Sequence, residues 1–313
     1  MAKRISSTRR SERGTFARMI ADRHLYIFLL PWLVLFILYT VYPIGASWYF
    51  SLLDWNGFDA DGTYIGLANF KELVGDEFFW NALKNTFLFL AWAVPLRVFI
   101  ALIFAVLLNS RKIPFSNFFR TVIFTPVVTT GAIVGIVMSL VLDPAGGPVN
   151  LLLSQVRLIR EPVNFLGEAR LAFPTAVIVW SWKWLGITLV YWLASLQTIP
   201  SELYEAAQID GAGGFGSFFH ITVPLLIPFG AIIILITAVD ATRIFELMLT
   251  LTGGGPYFAT EVIEIFIYRM AFLANIPRLG YASAAAALFG LIFMVFTLAQ
   301  TVLLQLARKA RAA

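Results

Sequence analysis

The sequence predicts an all-α, polytopic membrane bundle of six transmembrane helices, with both chain ends cytoplasmic and a short cytoplasmic helix between the fourth and fifth spans. Three observations carry that prediction. Of 313 residues, 59% are hydrophobic and only 13% charged, against about a quarter charged in soluble domains. Six stretches are long and apolar enough to cross a bilayer core, which takes roughly 20 residues because every backbone polar group must be satisfied within the helix. The basic residues sit at the chain ends and in short loops, where they set orientation.

The spans run in order along the chain. Leu25 to Leu53 carries no formal charge, and Thr86 to Ser110 is interrupted only by Arg97. Thr121 to Leu142 is charge-free, Leu171 to Ile199 contains only Lys183, and Ile221 to Val239 and Leu279 to Ala307 contain none. One membrane domain over 25–307 results, between a basic tail (1–24) and a short tail (308–313), with no polar linker to divide it. Pro31, Pro43, Pro95, Pro126 and Pro174 lie inside spans and predict kinks.

Lys3, Arg4, Arg9, Arg10, Arg13, Arg18 and Arg23 precede the first span and place that end in the cytoplasm. A signal peptide is the alternative, but the apolar run is long for one and lacks a small-residue cleavage site. Arg111, Lys112 and Arg120 then fall in an inside loop, and Arg308, Lys309 and Arg311 come after the last span. The first outside loop is acidic through Asp54, Asp59, Asp61, Glu72, Asp76 and Glu77. This distribution also accounts for the net charge of +5 without nucleic acid. No cysteine is present, which excludes disulfides and thiolate ligands; with only two histidines no metal site is predicted.

One inside loop departs from the charge rule. Pro200 to His220 holds no Lys or Arg, yet contains Glu202, Glu205 and Asp210. Its punctuation predicts a helix from about Glu202 to Asp210: Pro200 ends the span, the Ser201 hydroxyl can cap, Glu202 sits at the positive end of the dipole, and Gly211 stops it. Leu203, Ala206 and Ala207 then form a small apolar stripe flanked by carboxylates, suited to docking in a partner's groove. A helix resting on the bilayer is the alternative, although such helices usually carry Lys or Arg on the polar face.

Glu205-Ala206-Ala207, Gly211 and the closing Ile221 and Pro224 resemble the EAA loop of bacterial ABC importer permeases. The chain from about residue 25 onward is similar to the first-permease subunits of carbohydrate importers of the maltose and glycerol-3-phosphate type. Further matches are Ile65 to Phe70 with Asn85-Thr86, Leu251-Thr252-Gly253-Gly254-Gly255-Pro256, and Gly280 to Ala284. The resemblance implies a bacterial or archaeal inner membrane, a second permease subunit, a cytoplasmic ATPase dimer and an extracytoplasmic solute-binding protein delivering a carbohydrate-like solute. It implies that Leu203, Glu205, Ala206, Ala207, Asp210 and Gly211 dock the ATPase. This chain has no P-loop, so ATP and Mg belong to that partner; no cofactor and no enzymatic activity are expected here.

For the solute path, Arg97 and Lys183 are expected about 17 to 18 Å deep at ~1.5 Å per residue, where charges usually face protein or water. Trp180, Lys183, Trp184, Ile187 and Tyr191 share one helical face, which suits a hydroxylated ring as well as plain helix packing. Asp240, Arg243 and Glu246, at the outer end of the fifth span, could touch solute, binding protein or one another. Gly253, Gly254, Gly255 and Pro256 are expected to form an outside turn near the binding protein, or a simple chain reversal. An ion-coupled secondary transporter is the alternative function, but no inverted repeat is evident. A membrane enzyme would need a catalytic constellation, and His24 and His220 lie on separate loops.

Overall fold

The computed structural model describes residues 23–59, 62–109 and 113–312. Lys3, Arg4, Arg9, Arg10, Arg13, Arg18, Asp61, Arg111 and Lys112 lie outside them. Helix α1 (Arg23–Phe36) continues through a π-helical turn (Ile37–Val41) into α2 (Tyr42–Phe50). After it come β1 (Leu53–Asp54), β2 (Thr63–Tyr64), α3 (Ala68–Gly75), α4 (Glu77–Asn109), α5 (Ser116–Val128), α6 (Gly131–Val141) and α7 (Pro148–Gln155). The second half holds α8 (Ala169–Leu196), α9 (Ser201–Ile209), α10 (Gly214–Ser217), a π turn (Phe218–Thr222) and α11 (Val223–Asp240). It closes with α12 (Phe245–Leu251), α13 (Ile263–Tyr268), a π turn (Arg269–Leu273) and α14 (Leu279–Ala312).

Among the described residues five helices are long and apolar enough to cross a membrane: Phe28–Phe50, Glu77–Asn109, Ala169–Leu196, Gly214–Asp240 and Leu279–Val302. A sixth crossing exists only if α5 and α6, bent by 104°, count as one. The expected span Thr121 to Leu142, with its expected kink at Pro126, is thus two helices with a far sharper break three residues later. Thr129 and Thr130 are both extended, with ψ of 148° and 154°, and the Thr130 hydroxyl accepts from the Ile133 amide. That cap starts a new helix in a new direction, which hydropathy cannot register.

Two smaller findings concern helix starts and strands. The helix that carries the second span begins at Glu77, ahead of Thr86, because Asp76 Oδ1 accepts from the Phe78 amide at 2.8 Å and so caps a helix that extends beyond its apolar stretch. The chain is mostly helical as expected, and to the helices it adds one two-residue ladder that pairs Leu53 with Tyr64 and Asp54 with Thr63.

Between lipid-exposed helices burial from water contributes little, so close packing and hydrogen bonds must hold the bundle. The α4–α8 interface meets that need with small residues: Ala93, Ala101, Ala105, Ala172 and Ala176 are fully buried. Trp192 of α8 donates its indole N–H to the Val98 carbonyl of α4 at 3.1 Å. Helix α5 reaches α8 at Gly186, where a Cβ would come within 2.6 Å of the Phe124 Cα. By contrast every residue from Phe28 to Gly45 is exposed, and only α2 at the far end of that span packs on α14.

A second core closes one end of the bundle. Leu73, Phe79, Ile263, Phe266 and Tyr281 are buried together where α3, α4, α13 and α14 meet. Asn69, itself buried, donates to the Ser51 and Leu53 carbonyls, both at 2.9 Å, and so holds the end of the first span against α3. The Asn85 amide of α4 donates to the Glu261 carbonyl at 3.0 Å, and the Thr86 hydroxyl accepts from the Ile263 amide at 2.9 Å.

Candidate functional site

The mid-bundle charges come from three helices. Arg97 of α4 is fully buried, donates from Nε to the Thr188 hydroxyl of α8 at 2.6 Å, and lies 5.0 Å from the Trp180 ring centroid. Its Nη2 faces Asp240 Oδ2 of α11 at 3.6 Å, and among the described residues neither terminal nitrogen makes a hydrogen bond. The sequence placed Arg97 in mid-membrane and Asp240 at an outer end. The structure brings the two side chains together where the C-terminal end of α11 meets α4.

Lys183 is also buried, with Nζ 3.7 Å from the Trp184 ring centroid and no ion-pair partner among the described residues. An ammonium so placed is costly without an acceptor, and a cation over an indole face recovers part of that cost. Trp184, Ile187 and Tyr191 are half-buried along the same face. Trp180, expected with them, is instead fully buried edge-on to Phe89 at 5.6 Å and belongs to the α4–α8 contact. Arg243 and Glu246 are exposed and pair neither with each other nor with Asp240 among the described residues. Sequence spacing had grouped those three; the bend at Ala241 separates them.

The Gly253 to Pro256 segment is a tightly bonded turn. Gly253 and Gly254 take φ of 60° and 87°. Thr252 and Thr260 hydroxyls meet at 2.6 Å, and the latter donates to the Gly255 carbonyl at 2.7 Å. Tyr257 stands at its tip, 94% exposed. Behind it Arg269 forks onto the buried Glu261 at 2.7 and 3.2 Å, with its guanidinium 4.9 Å from the Phe258 ring. Burial pushes the Glu261 carboxyl above its usual range and the Arg269 fork opposes that. Sequence reasoning passed over this pair, although two opposite charges eight residues apart in an apolar stretch were a usable signal.

At the other end, α9 spans Ser201–Ile209, one residue earlier than expected. The expected Ser201 cap is not formed: Pro200 holds the N-cap position and no side chain caps the helix. Proline's fixed φ starts the helix there, leaving Ser201 inside its first turn. Gly211 takes φ of +79°, and a Cβ there would meet nothing within 4 Å, so its role is conformational. Leu203, Glu205, Ala206 and Asp210 are exposed, while Ala207 is half-buried. Ser201, Tyr204, Glu205 and Gln208 border a cavity of about 590 Å³ between α9 and the bundle. The outward stripe is thus Leu203, Ala206 and Ile209, not Leu203 with both alanines. A helix rotation of this size depends on the loop ends, which spacing alone does not give.

Comparison with known proteins fixes the family. Residues 77–309 match the family model described as binding-protein-dependent transport system inner membrane component. The chain is 37% identical to the probable ABC transporter permease protein YurN of Bacillus subtilis over 276 residues, covering 88% of this chain and 94% of YurN. It is 32% identical to the lactose transport system permease protein LacF of Rhizobium radiobacter, covering 88% and 92%. Its fold matches a chain of a bacterial alginate ABC transporter in complex with an alginate pentasaccharide-bound periplasmic protein, at a TM-score of 0.76 and 25% identity, over 92% of this chain and 96% of that one. The α4–α14 bundle, the Gly253 turn and the α9 loop therefore belong to a member of the binding-protein-dependent transport inner-membrane family, among the permeases of sugar ABC transporters.

Proposed function

We propose that this chain is one of two permeases of an ATP-driven importer, forming with its partner the path for a sugar-like solute that a periplasmic protein delivers. Both ends and α9 face the cytoplasm, and the bent α5–α6 pair counts as the sixth crossing. An ATPase pair binds ATP and Mg and docks on α9 through Leu203, Glu205, Ala206, Ala207, Asp210 and Gly211. The single observation that carries the reading is α9 itself: a short helix with an exposed apolar stripe and exposed carboxylates, set off from the bundle and ended by a left-handed glycine. Closure of the ATPases on ATP would draw the two permeases' helices together and bias the bundle outward; release would return it.

Within the bundle, Lys183, Trp184 and Tyr191 offer the solute an aromatic face and a donor, with Arg97 and Asp240 beside them. Trp180 supports that face from behind. Arg243, Glu246 and the Gly253, Gly254, Gly255 and Pro256 turn lie outward, on the side from which the binding protein delivers. The exposed flank of the first span is free for the second permease. The test is ATP hydrolysis by the reconstituted complex on adding loaded binding protein. Removing one charge-assisted contact, with Glu205→Ala, should weaken docking roughly tenfold and abolish stimulation while the second permease stays bound. Full stimulation and transport in that variant would remove α9 from the coupling role.

A further inference from the structure

We infer that Tyr204 is a strut that carries movement of α9 into α11, and that the π turn Phe218–Thr222 is the joint on which it acts. The inference rests on the coupling role proposed for α9 and adds a transmission route inside this chain. Helix α9 does not lie on the bundle: the 590 Å³ cavity separates its inward face from Val106 and Asn109 of α4 and from Leu196 of α8. Across that gap the Tyr204 phenol reaches the Thr222 hydroxyl at 2.9 Å. Among the described residues this is the only side-chain hydrogen bond that leaves α9. The ring also packs against the main core. Tyr204 and Gln208 share the inward face at i and i+4, while Leu203, at 42% exposed, and Ile209, at 87%, point the other way. Force applied to the outward stripe therefore has one polar contact through which to reach the bundle.

The receiving end is built to move. Thr222 is buried, at 4% exposed, and is the last residue of a five-residue π-helical turn leading straight into α11. Its hydroxyl also lies 3.5 Å from the Ser217 carbonyl, five residues back, which assigns the phenol as donor to Thr222 and the threonine proton to Ser217. A π turn holds one residue more than an α turn, and its relaxation to α geometry rotates the helix beyond it by ~100° per residue released. Moving Thr222 thus turns α11, and α11 ends on Asp240, the residue facing Arg97. A phenol suits the task because a rigid ring with two rotatable angles transmits displacement with little slack. Phenylalanine would keep the packing and lose the latch.

The experiment measures solute moved per ATP hydrolysed in proteoliposomes holding the complete complex and loaded binding protein. Tyr204→Phe and Thr222→Val, each deleting one hydroxyl, should lower the ratio about fivefold, the effect of one neutral hydrogen bond. The double variant should fall no further than the worse single, since both remove the same contact. Thr222→Ser, which keeps the hydroxyl, should retain the wild-type ratio. A wild-type ratio in Tyr204→Phe, or a double variant that multiplies the two single losses, would overturn the strut. Loss of bound ATPase from Tyr204→Phe would overturn it too, making the phenol a docking group. If the wild-type complex binds no ATPase, the coupling role of α9 fails and takes the strut with it; if only the variants behave as wild type, the coupling role stands alone.

Discussion

The two ends of the bundle are built on opposite plans. At the end formed by α3, α13 and the start of α14, the outer end in the proposed topology, side-chain amides reach backbone carbonyls across the sequence: Asn69 to Ser51 and Leu53, Asn85 to Glu261, Asn81 to Phe258. The Arg269–Glu261 fork, Tyr281 bonded to Asp76, and a fully buried Leu73, Phe79 and Ile263 complete it. At the other end, α9 meets the bundle across a cavity, through the Tyr204 ring and, among the described residues, one side-chain hydroxyl pair. Buried hydrogen bonds and packed rings resist local opening, whereas a helix with few buried contacts opens at little cost. The difference teaches where movement is possible: a rigid outer frame lets displacement of α9 turn α11 instead of dissipating through the whole chain.

The largest effect expected from that contrast lies at Gly280, the second residue of α14. Its amide donates to the Trp55 carbonyl at 2.9 Å, and a Cβ there would overlap the Leu53 carbonyl oxygen. The obstacle is backbone, which cannot rotate away. Gly280→Val should therefore destabilise the chain by about 3 kcal/mol, at the upper end for overpacking. Gly290→Val, in the same helix with nothing within 4 Å of its Cβ position, is the control. Thermal unfolding in detergent reads both. Equal melting temperatures would show that the outer frame yields, and the contrast with α9 would collapse.

The same substitution logic gives a smaller and local result at Gly211. Space is open there, so only the left-handed φ of +79° opposes a side chain. Gly211→Ala should cost about 1 kcal/mol, and Gly211→Asn less, because asparagine tolerates that conformation. The cost should appear as roughly fivefold faster amide exchange at Gly211 and Ala212, whose N–H groups bond Gln208 and Ala207 at 3.1 and 2.8 Å. The Ile263 and Gly280 amides of the outer frame should be unaffected. Acceleration spread evenly over both ends would mean that α9 and the frame open as one unit.

Which parts were legible depends on the kind of information each requires. Charge-free runs located the helices because hydrocarbon imposes its demand residue by residue. The Thr129–Thr130 break lay inside such a run, and a capping hydroxyl does not alter hydropathy, although Pro126 and Gly131 around two threonines were a readable sign. The α9 loop stood out because Glu202, Glu205 and Asp210 defy the orientation rule. Its inward face did not, since which residues meet a cavity depends on how α8 and α11 hold the loop. Arg97 and Asp240 were each noticed alone; their meeting is a property of helices far apart in sequence. Thr188, Tyr204 and Thr222 were missed because a single hydroxyl carries no signal until its partner, on another element, is in place.

The smallest expected effect tests whether the outer frame owes its rigidity to charge. Arg278 forks onto Glu72 at 2.7 and 2.6 Å, while the side chains remain 41% and 51% exposed. The Arg278 hydrogen bonds hold the Glu72 carboxyl below its ordinary value. A lowered carboxylate stabilises the folded state at pH above the ordinary carboxylate value of about 4.3, and that contribution disappears as pH falls through the lowered value. Water screens an exposed pair, so its worth is at most about 1 kcal/mol despite the bidentate geometry. A double-mutant cycle of Glu72→Gln and Arg278→Gln should therefore give a coupling energy below about 1 kcal/mol at neutral pH. It should shrink in about 1 M salt, where the screening length is only ~3 Å, and vanish once Glu72 is protonated. A coupling of several kcal/mol that survives salt would reverse the comparison, making ion pairs rather than the amide-to-carbonyl bonds of Asn69 and Asn85 the source of the outer frame's stiffness.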